Sequence, residues 1–387
     1  MEMNELFYKN AYQKSFDACV LACEVCKGGY DVILEDTVFY PEGGGQPCDM
    51  GILDGFEVYD VQRDKQDVIH HFVKGKVDVG KMVHGEIDWQ RRFDLMQNHS
   101  GEHVISGLVH KKFGYENVGF HMGEVIQIDL SGPLDWKTCL EIEREANAII
   151  WENIPITITY PNENALAALQ YRSKKELVGK VRIVTIGEAD VCACCGTHVA
   201  YTGEIGLIKM LSCVKHKDGV RIELVCGERA LLYMEKAYEQ VRKISTTLSS
   251  KPFLIGNAVD KLLETNVKLT QRVKDSVASA LDNRFEQIQE NTPLVIEFVE
   301  GVERNASVNY ANRLVVEKRV GVACVMNLEE NGTYSYVMIS HCVDLKKYVK
   351  ECNALLHGRG GGKQDIVQGS FSSSADEIQK RLAEVFL

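Results

Sequence analysis

With 387 residues, 45% of them hydrophobic, and a formal net charge of −11, the chain is long enough for about two to four domains with real cores. The acidic balance excludes a protein that grips nucleic acid over its whole surface by bulk attraction. Residues 1–14 are polar and carry Glu2, Glu5 and Lys9, so no signal peptide is expected, and no apolar run approaches the roughly 20 residues of a membrane helix. A soluble, cytoplasmic protein with no membrane partner is expected.

The charge is uneven. Residues 1–90 hold 17 acidic and 8 basic residues, whereas residues 166–223 hold 9 basic and 6 acidic. Ordinary solvated faces would look like this, and so would an acidic front beside one RNA-facing surface. The 13 cysteines read as reduced thiols or metal ligands rather than disulfides in a cytosolic chain.

Residues 1–90 read as a small β-barrel domain, with strand-like runs at Asp31–Leu34, Thr37–Tyr40 and Phe56–Val61 between glycine-rich turns. Cys23 and Cys26 have CxxC spacing without a second pair and are expected to be buried thiols. His70-His71 is expected at a strand position on the barrel rim. The run Tyr40-Pro41-Glu42-Gly43-Gly44-Gly45-Gln46-Pro47 permits close approach of backbone to a ligand or to another segment, or forms a surface turn.

Residues 91–228 change pattern. Asp94–Val109 carries Leu95, His99, His103 and Ser106 at helical spacing, flanked by Val104, Leu108 and Val109. A second helix fits Trp136–Glu152 and stops before Pro155. Strand-like runs follow at Ile156–Tyr160, Val181–Ile186 and Glu204–Leu211. Residues 229–291 read as a helical spacer. Met234, Ala237, Val241, Ile244 and Leu248 form a heptad seam, Ser249-Ser250-Lys251-Pro252 breaks it, and Val259, Leu262, Leu269 and Val273 follow, with Asn266 between them. Residues 292–387 read as a separate α/β unit. It has strands at Pro293–Val299 and Val320–Met326, a hairpin signal at Asn331-Gly332, a strand-to-helix passage over Met338–Leu355, the Gly-rich run His357–Lys363, and a last helix over Ala375–Leu387.

The chemistry concentrates in two short motifs. In His99-Ser100-Gly101-Glu102-His103, the histidines stand four apart on one helical face, where they can share a metal. In Cys194-Cys195-Gly196-Thr197-His198, a thiolate and an imidazole stand four apart. An HxxxH with a CxxxH is the ligand set of tetrahedral zinc, so His99, His103, Cys194 and His198 are the expected ligands. Cys192 and Cys195 are alternatives to Cys194, with buried thiols as the plainer reading. Such a metal is structural if all four ligands stay bound, or catalytic if a position opens. Glu102, between the histidines, is a candidate general base or a surface carboxylate. The Gly-rich run with Arg359, Gly360, Gly361, Gly362 and Lys363 is not a Walker loop, because Gln364 follows the lysine. It is either a phosphate-presenting loop or a flexible turn.

These motifs together resemble a known family. YPEGGGQP, NHSGEH, CCGTHVAYTGEIG and GVRIELVCGERA are similar to the editing region of alanyl-tRNA synthetase and to its free-standing AlaX relatives. GRGGGKQD resembles the Gly-rich loop of the DHH-associated C-terminal domain of those synthetases. The resemblance runs in family order over nearly the whole chain. It implies an α+β architecture: an N-terminal β-barrel, a zinc-containing editing domain, a helical spacer hairpin and a C-terminal α/β DHH-associated domain. It places the zinc ligands on His99, His103, Cys194 and His198. Because the chain starts almost at the barrel, a long-form AlaX protein without aminoacylation is expected. The chain departs from the family at Cys195-Gly196, at His121 before Met122-Gly123, and in the residues between His99 and His103.

The implied reaction is hydrolysis of the ester joining serine or glycine to mischarged alanine tRNA. A synthetase pocket discriminates poorly against a smaller or near-isosteric amino acid, and a second hydrolytic site supplies the difference. Ser100, Glu102, His121 and Thr197 are the candidate pocket residues. Lys209, Lys215, Lys217 and Arg221 are candidate contacts to tRNA phosphates, with Arg359 and Lys363 of the C-terminal run. A homodimer through the C-terminal domain or the spacer is a further expectation. Two rival readings are a zinc-stabilised tRNA-binding protein without catalysis, and an HxxEH zinc protease whose third ligand is a downstream acidic residue.

Overall fold

A computed structural model describes residues 4–173 and 181–387, which form two compact units, Met1–Lys243 and Ile244–Leu387. The first unit opens with β1 (Asn4–Glu5), α1 (Leu6–Lys9), β2 (Ser15–Cys26), β3 (Gly29–Leu34), β4 (Asp36–Thr37), β5 (Gly51–Leu53), β6 (Phe56–Arg63), β7 (Ile69–Val73) and β8 (Met82–Ile87). Six of these strands close a barrel in the order β2-β3-β7-β6-β5-β8, and β1 pairs in parallel with β4. Alternation fills the barrel: Phe16, Ala18 and Val20 of β2, Val32 and Leu34 of β3, and Val58 and Val61 of β6 are all buried.

Three details differ from the expected barrel. The strand over Thr37–Tyr40 is only two residues long. Side chains take the next backbone donors: Thr37 Oγ1 accepts from Phe39 N–H at 3.0 Å, and Asp49 Oδ2 accepts from Tyr40 N–H at 2.6 Å. Cys23 and Cys26 lie in β2 but are partly exposed rather than buried. His71 is not a rim residue. It is fully buried, between Thr37 Oγ1 at 2.8 Å and the Val32 carbonyl at 3.0 Å.

The first unit continues with α2 (Trp89–Phe113), β9 (Asn117–Met122), β10 (Ile126–Leu130), α3 (Trp136–Glu152), β11 (Ile156–Thr159), α4 (Glu163–Ala168), β12 (Ile183–Ile186), β13 (Asp190–Ala193), β14 (Ile208–His216), β15 (Gly219–Cys226) and α5 (Gly227–Thr247). The helix carrying the two histidines is longer than its apolar spacing indicates, because its ends are set by caps. Asp88 accepts from Arg91 N–H at 3.1 Å, and Gly114 closes the C-terminus in the left-handed region at φ 69°. Between Leu95 and Val109 every residue but Gln97 is buried, so α2 is the core of its domain rather than a surface helix. A four-stranded antiparallel sheet, β14-β15-β10-β9, and a three-stranded one, β11-β12-β13, enclose it, and α3 adds Cys139, Ile142, Ala146 and Ile150. The strand expected over Glu204–Leu211 is instead a 3₁₀ turn at Thr202–Ile205 followed by β14.

Arg92 of α2 ties this domain to the barrel. It is fully buried, and its guanidinium spans Asp49 Oδ1 (2.9 Å), the Ala11 carbonyl (2.8 Å) and the Val38 carbonyl (2.6 Å). A buried charge is tolerable only when its donors are satisfied in this way.

The second unit holds α6 (Ile255–Gln287), β16 (Leu294–Glu300), α7 (Arg304–Glu317), β17 (Val322–Leu328), β18 (Tyr334–Ile339), α8 (Leu345–Leu355), β19 (Arg359–Gly362), β20 (Ile366–Phe371) and α9 (Ala375–Phe386). The sheet order is β16-β17-β18-β20-β19, with only the first pair parallel. Alternate residues feed two cores. Ala323, Val325, Val337 and Ile339 meet α7 and the end of α6, while Val322, Cys324, Met326 and Met338 meet α8 and α9. The Gly-rich run is not a loop. Arg359–Gly362 is an edge strand in register with Val367–Ser370, and its glycines allow close packing: a Cβ on Gly360 would lie 2.3 Å from Tyr336 Oη.

Candidate metal centre

His99 and His103 sit one turn apart on the buried face of α2, and β13 delivers Cys194 and the turn to His198 directly opposite. The ligand atoms of these four residues all lie within 4.8 Å of one another. Cys194 Sγ is 3.4 Å from His99 Nε2 and 3.4 Å from His198 Nε2. The three histidines are 2–3% exposed. The turn depends on Gly196, because a Cβ there would lie 2.0 Å from His99 Cε1.

Each imidazole presents Nε2 to the cluster and has its Nδ1 held from behind. His99 Nδ1 is 2.8 Å from Gln46 Oε1. The orientation of that amide follows from Thr197, whose backbone N–H donates to the same Oε1 at 3.0 Å while Gln46 Nε2 donates to Thr197 Oγ1 at 2.9 Å. Oε1 can only accept, so His99 carries its proton on Nδ1 and leaves the Nε2 lone pair facing the cluster. His103 Nδ1 is 2.8 Å from Asp190 Oδ2, and Arg172 grips Asp190 from the other side at 2.7 and 2.9 Å. His198 Nδ1 is 3.2 Å from Ser100 Oγ, which also accepts from Val199 N–H at 3.3 Å. Such partners fix ring orientation and ligand basicity in metal sites.

The electrostatics favour a thiolate. Burial opposes ionisation of Cys194, but the surrounding imidazoles of His99, His103 and His198 outweigh it and hold the thiol well below its ordinary range. Burial holds His198 neutral, with its pKa pushed down to about 3. Burial opposes a charge on His103 too, but the Cys194 thiolate and Asp190 prevail and raise it. Asp190 is held below the usual carboxylate range despite burial, by His103 and Arg172. A half-buried thiolate among three buried, oriented imidazoles is a donor set that could hold a metal ion. The alternative thiols fit less well. Cys195 is exposed, and Cys192 gathers with His103 and Asp190 rather than with all three histidines.

The other expected site residues are dispersed. Ser100 is engaged behind His198 and does not stand free in a pocket. Glu102 is buried rather than on a surface. Its Oε1 accepts from Ser106 Oγ at 2.7 Å and from Asn117 Nδ2 at 2.5 Å, and its Oε2 is 3.9 Å from His103 Nε2. His121 is exposed. Strand alternation in β9 gives the cluster side to Phe120, whose ring lies 5.5 Å from His99. Gly43, Gly44, Gly45 and Gln46 form a tight turn closed by reciprocal Gly43–Gln46 backbone bonds, and Gly45, at φ 85°, lies against Phe120. Lys209 is paired with Glu143 at 2.7 Å and Arg221 with Asp129 at 2.6 Å, whereas Lys215, Lys217, Arg359 and Lys363 are exposed. The groups facing His99 Nε2 and His103 Nε2 are Cys194 and His198; the downstream carboxylate, Asp190, meets His103 from behind at Nδ1 and does not join His99, as the HxxEH protease reading needs.

Asp190, Arg172 and the orienting role of Gln46 are absent from the sequence reading. Nothing in local spacing marks them, since each reaches its histidine across 53 to 87 residues or acts through another side chain.

The barrel, the buried His/Cys cluster and the C-terminal sheet define a protein related to class II tRNA synthetases. Residues 6–91 match the family of class II (A) tRNA synthetases, residues 181–223 the second additional domain of threonyl- and alanyl-tRNA synthetases, and residues 291–386 the DHHA1 domain. Over nearly its full length the chain is a relative of the free-standing alanyl-tRNA editing proteins. It is 29% identical to alanyl-tRNA editing protein Aarsd1 of Danio rerio (94% of this chain, 93% of that one) and 28% identical to AlaX-L of Pyrococcus horikoshii (97% and 96%). It is also 33% identical to an alanine–tRNA ligase of Ignicoccus hospitalis over 98% of its own length, but covers only 42% of that protein.

Proposed function

We propose that this protein hydrolyses, in trans and without aminoacylating, the ester that joins serine, or the smaller glycine, to mischarged alanine tRNA. It would thereby act in translation fidelity. The observation that carries the reading is the cluster of His99, His103, Cys194 and His198, in a chain similar over nearly its full length to proteins named for alanyl-tRNA editing.

Zinc is the metal that a three-imidazole, one-thiolate set fits best, and when bound it supplies a Lewis-acid centre that can position the aminoacyl group or polarise the ester. The chain's own residues do the rest. Gln46, Asp190 and Ser100 hold the three rings in place. Glu102, facing His103 from the same helix, is the carboxylate we assign to take the proton of the attacking water, while the 3′ oxygen of the tRNA leaves with a proton. Thr197 accepts from Gln46 through Oγ1 and keeps its own hydroxyl proton, which suits recognition of a substrate hydroxyl. Lys215 and Lys217, exposed beside the β14–β15 turn, are the cations we assign to tRNA phosphates. Lys209 and Arg221 already have carboxylate partners.

A deacylation panel tests the reading. Seryl-tRNA for alanine is cleaved at least 10-fold faster than alanyl-tRNA or threonyl-tRNA, and glycyl-tRNA serves to rank the smaller substrate. Tight tRNA binding without cleavage of any ester would instead support a non-catalytic binder.

A further inference from the structure

The face of the C-terminal sheet that packs against α7 changes character along its strands. It is apolar at Ala323, Val325, Val337 and Ile339. Beyond them the same face carries Asn327 of β17, Ser335 of β18, Gln368 and Ser370 of β20, and Arg359, which is in register with Ser370. These polar residues line a cavity of about 550 Å³ roofed by the first turn of α7.

Three features of this cavity point to an anionic ligand. Ser307 is 3% exposed, yet its hydroxyl has no hydrogen-bond partner, although it occupies a core-facing position of α7 where alanine would pack without that cost. Helix α7 is 14 residues long and begins without a side-chain cap, so its first-turn N–H groups lack a side-chain acceptor at the cavity edge. Arg359 lines the cavity, is exposed, and makes no ion pair among the described residues. Arg304, also at the edge, is held by Gln368 Oε1 at 2.7 Å, a neutral partner that leaves its charge uncompensated. Glu329, tied to Ser335 Oγ at 2.5 Å, supplies an acceptor at the far side, suited to hydroxyl or amino groups.

We propose that this cavity binds a phosphate monoester of single-nucleotide size. Its phosphate sits between Ser307, Arg359 and the start of α7, and its sugar or base sits toward Asn327, Ser335 and Glu329. The shared chemistry could come from a free mononucleotide or from the phosphorylated end of an RNA. The site is independent of the metal cluster, so its failure and that of the deacylase reading are separable.

Calorimetry on the full-length protein tests it with adenosine 5′-monophosphate, adenosine, inorganic phosphate, and an RNA trinucleotide with or without a 5′-phosphate. One mononucleotide binds per chain, adenosine binds at least 10-fold more weakly, and S307A and R359Q each weaken the mononucleotide at least 5-fold. Circular dichroism shows both variants folded. Equal binding of a phosphorylated trinucleotide identifies an RNA end as the source, and its exclusion identifies a free nucleotide. The proposal is overturned if adenosine binds as well as its monophosphate, if only inorganic phosphate binds, if nothing binds, or if folded variants bind like the wild type.

Discussion

Gln46 and Thr197, 151 positions apart, exchange two hydrogen bonds, side chain to side chain at 2.9 Å and side-chain oxygen to backbone N–H at 3.0 Å. Through that exchange the barrel's glycine turn sets the proton position on His99. The His/Cys cluster is therefore assembled from the barrel as well as from α2 and the segment after β13, and the barrel contributes to its chemistry rather than only to its shape.

Replacing Gln46 with alanine removes the acceptor that fixes the His99 tautomer. Loss of one such partner lowers metal affinity by about 10- to 100-fold. Chelator competition with zinc is expected to show a shift in that range for Q46A, with the fold retained by circular dichroism. An unchanged affinity would mean that His99 needs no orienting partner.

Arg172→Met leaves Asp190 buried with His103 as its remaining partner, and breaking a buried pair costs about 3 kcal/mol. The sign of the pH effect follows from the depressed carboxylate. Stability from Asp190 is present above the ordinary carboxylate pKa and is lost as pH falls through the lower folded value. Without Arg172 the folded value rises, so acid unfolding begins at a higher pH. Denaturant midpoints measured from pH 7 to pH 3 check both effects.

His71 titrates with the same sign but in a higher pH window. Burial in the barrel lowers its pKa to about 4 from 6.5. Between those values the unfolded chain takes up a proton that the folded chain refuses, so stability falls as pH drops from 6.5 to 4 and the loss then levels off. The shift corresponds to roughly 3 kcal/mol. H71Q, which keeps polar partners for Thr37 Oγ1 and the Val32 carbonyl, is expected to flatten that slope in guanidinium titrations. An equally steep slope would remove His71 as its source.

Gly45→Ala places a side chain at φ 85°, with its Cβ 2.4 Å from Phe120 Cδ1. The left-handed backbone and the overlap together cost about 2–4 kcal/mol, and the displaced Phe120 presses on His99. Thermal unfolding is expected to drop by several degrees and deacylation to fall with it.

The four-residue cluster was legible because its members come as two i, i+4 pairs, a local signature of shared ligation. The helix Trp136–Glu152 was equally legible, since its apolar stripe is regular. The start of α2 was not, because Asp88 capping lies outside the apolar repeat. Helix α7 went unread because its buried face includes Ser307 and Tyr310 among its apolar residues. The run Arg359–Gly362 looks like a loop by composition, and only its pairing with β20 makes it a strand. The face that His121 takes was not legible, because the two faces of β9 cannot be assigned without knowing which side α2 covers. Asp190 and Arg172 carry no spacing signal, since they act through His103 across the fold.

The most direct measurement is deacylation of seryl-tRNA for alanine while metal-stripped protein is titrated with zinc. Activity is expected to rise to a plateau at one equivalent per chain, and to be lost in H103A and in C194A, which should bind no zinc at that site. Full activity without metal, or in the H103A, C194A double variant, would contradict the central claim.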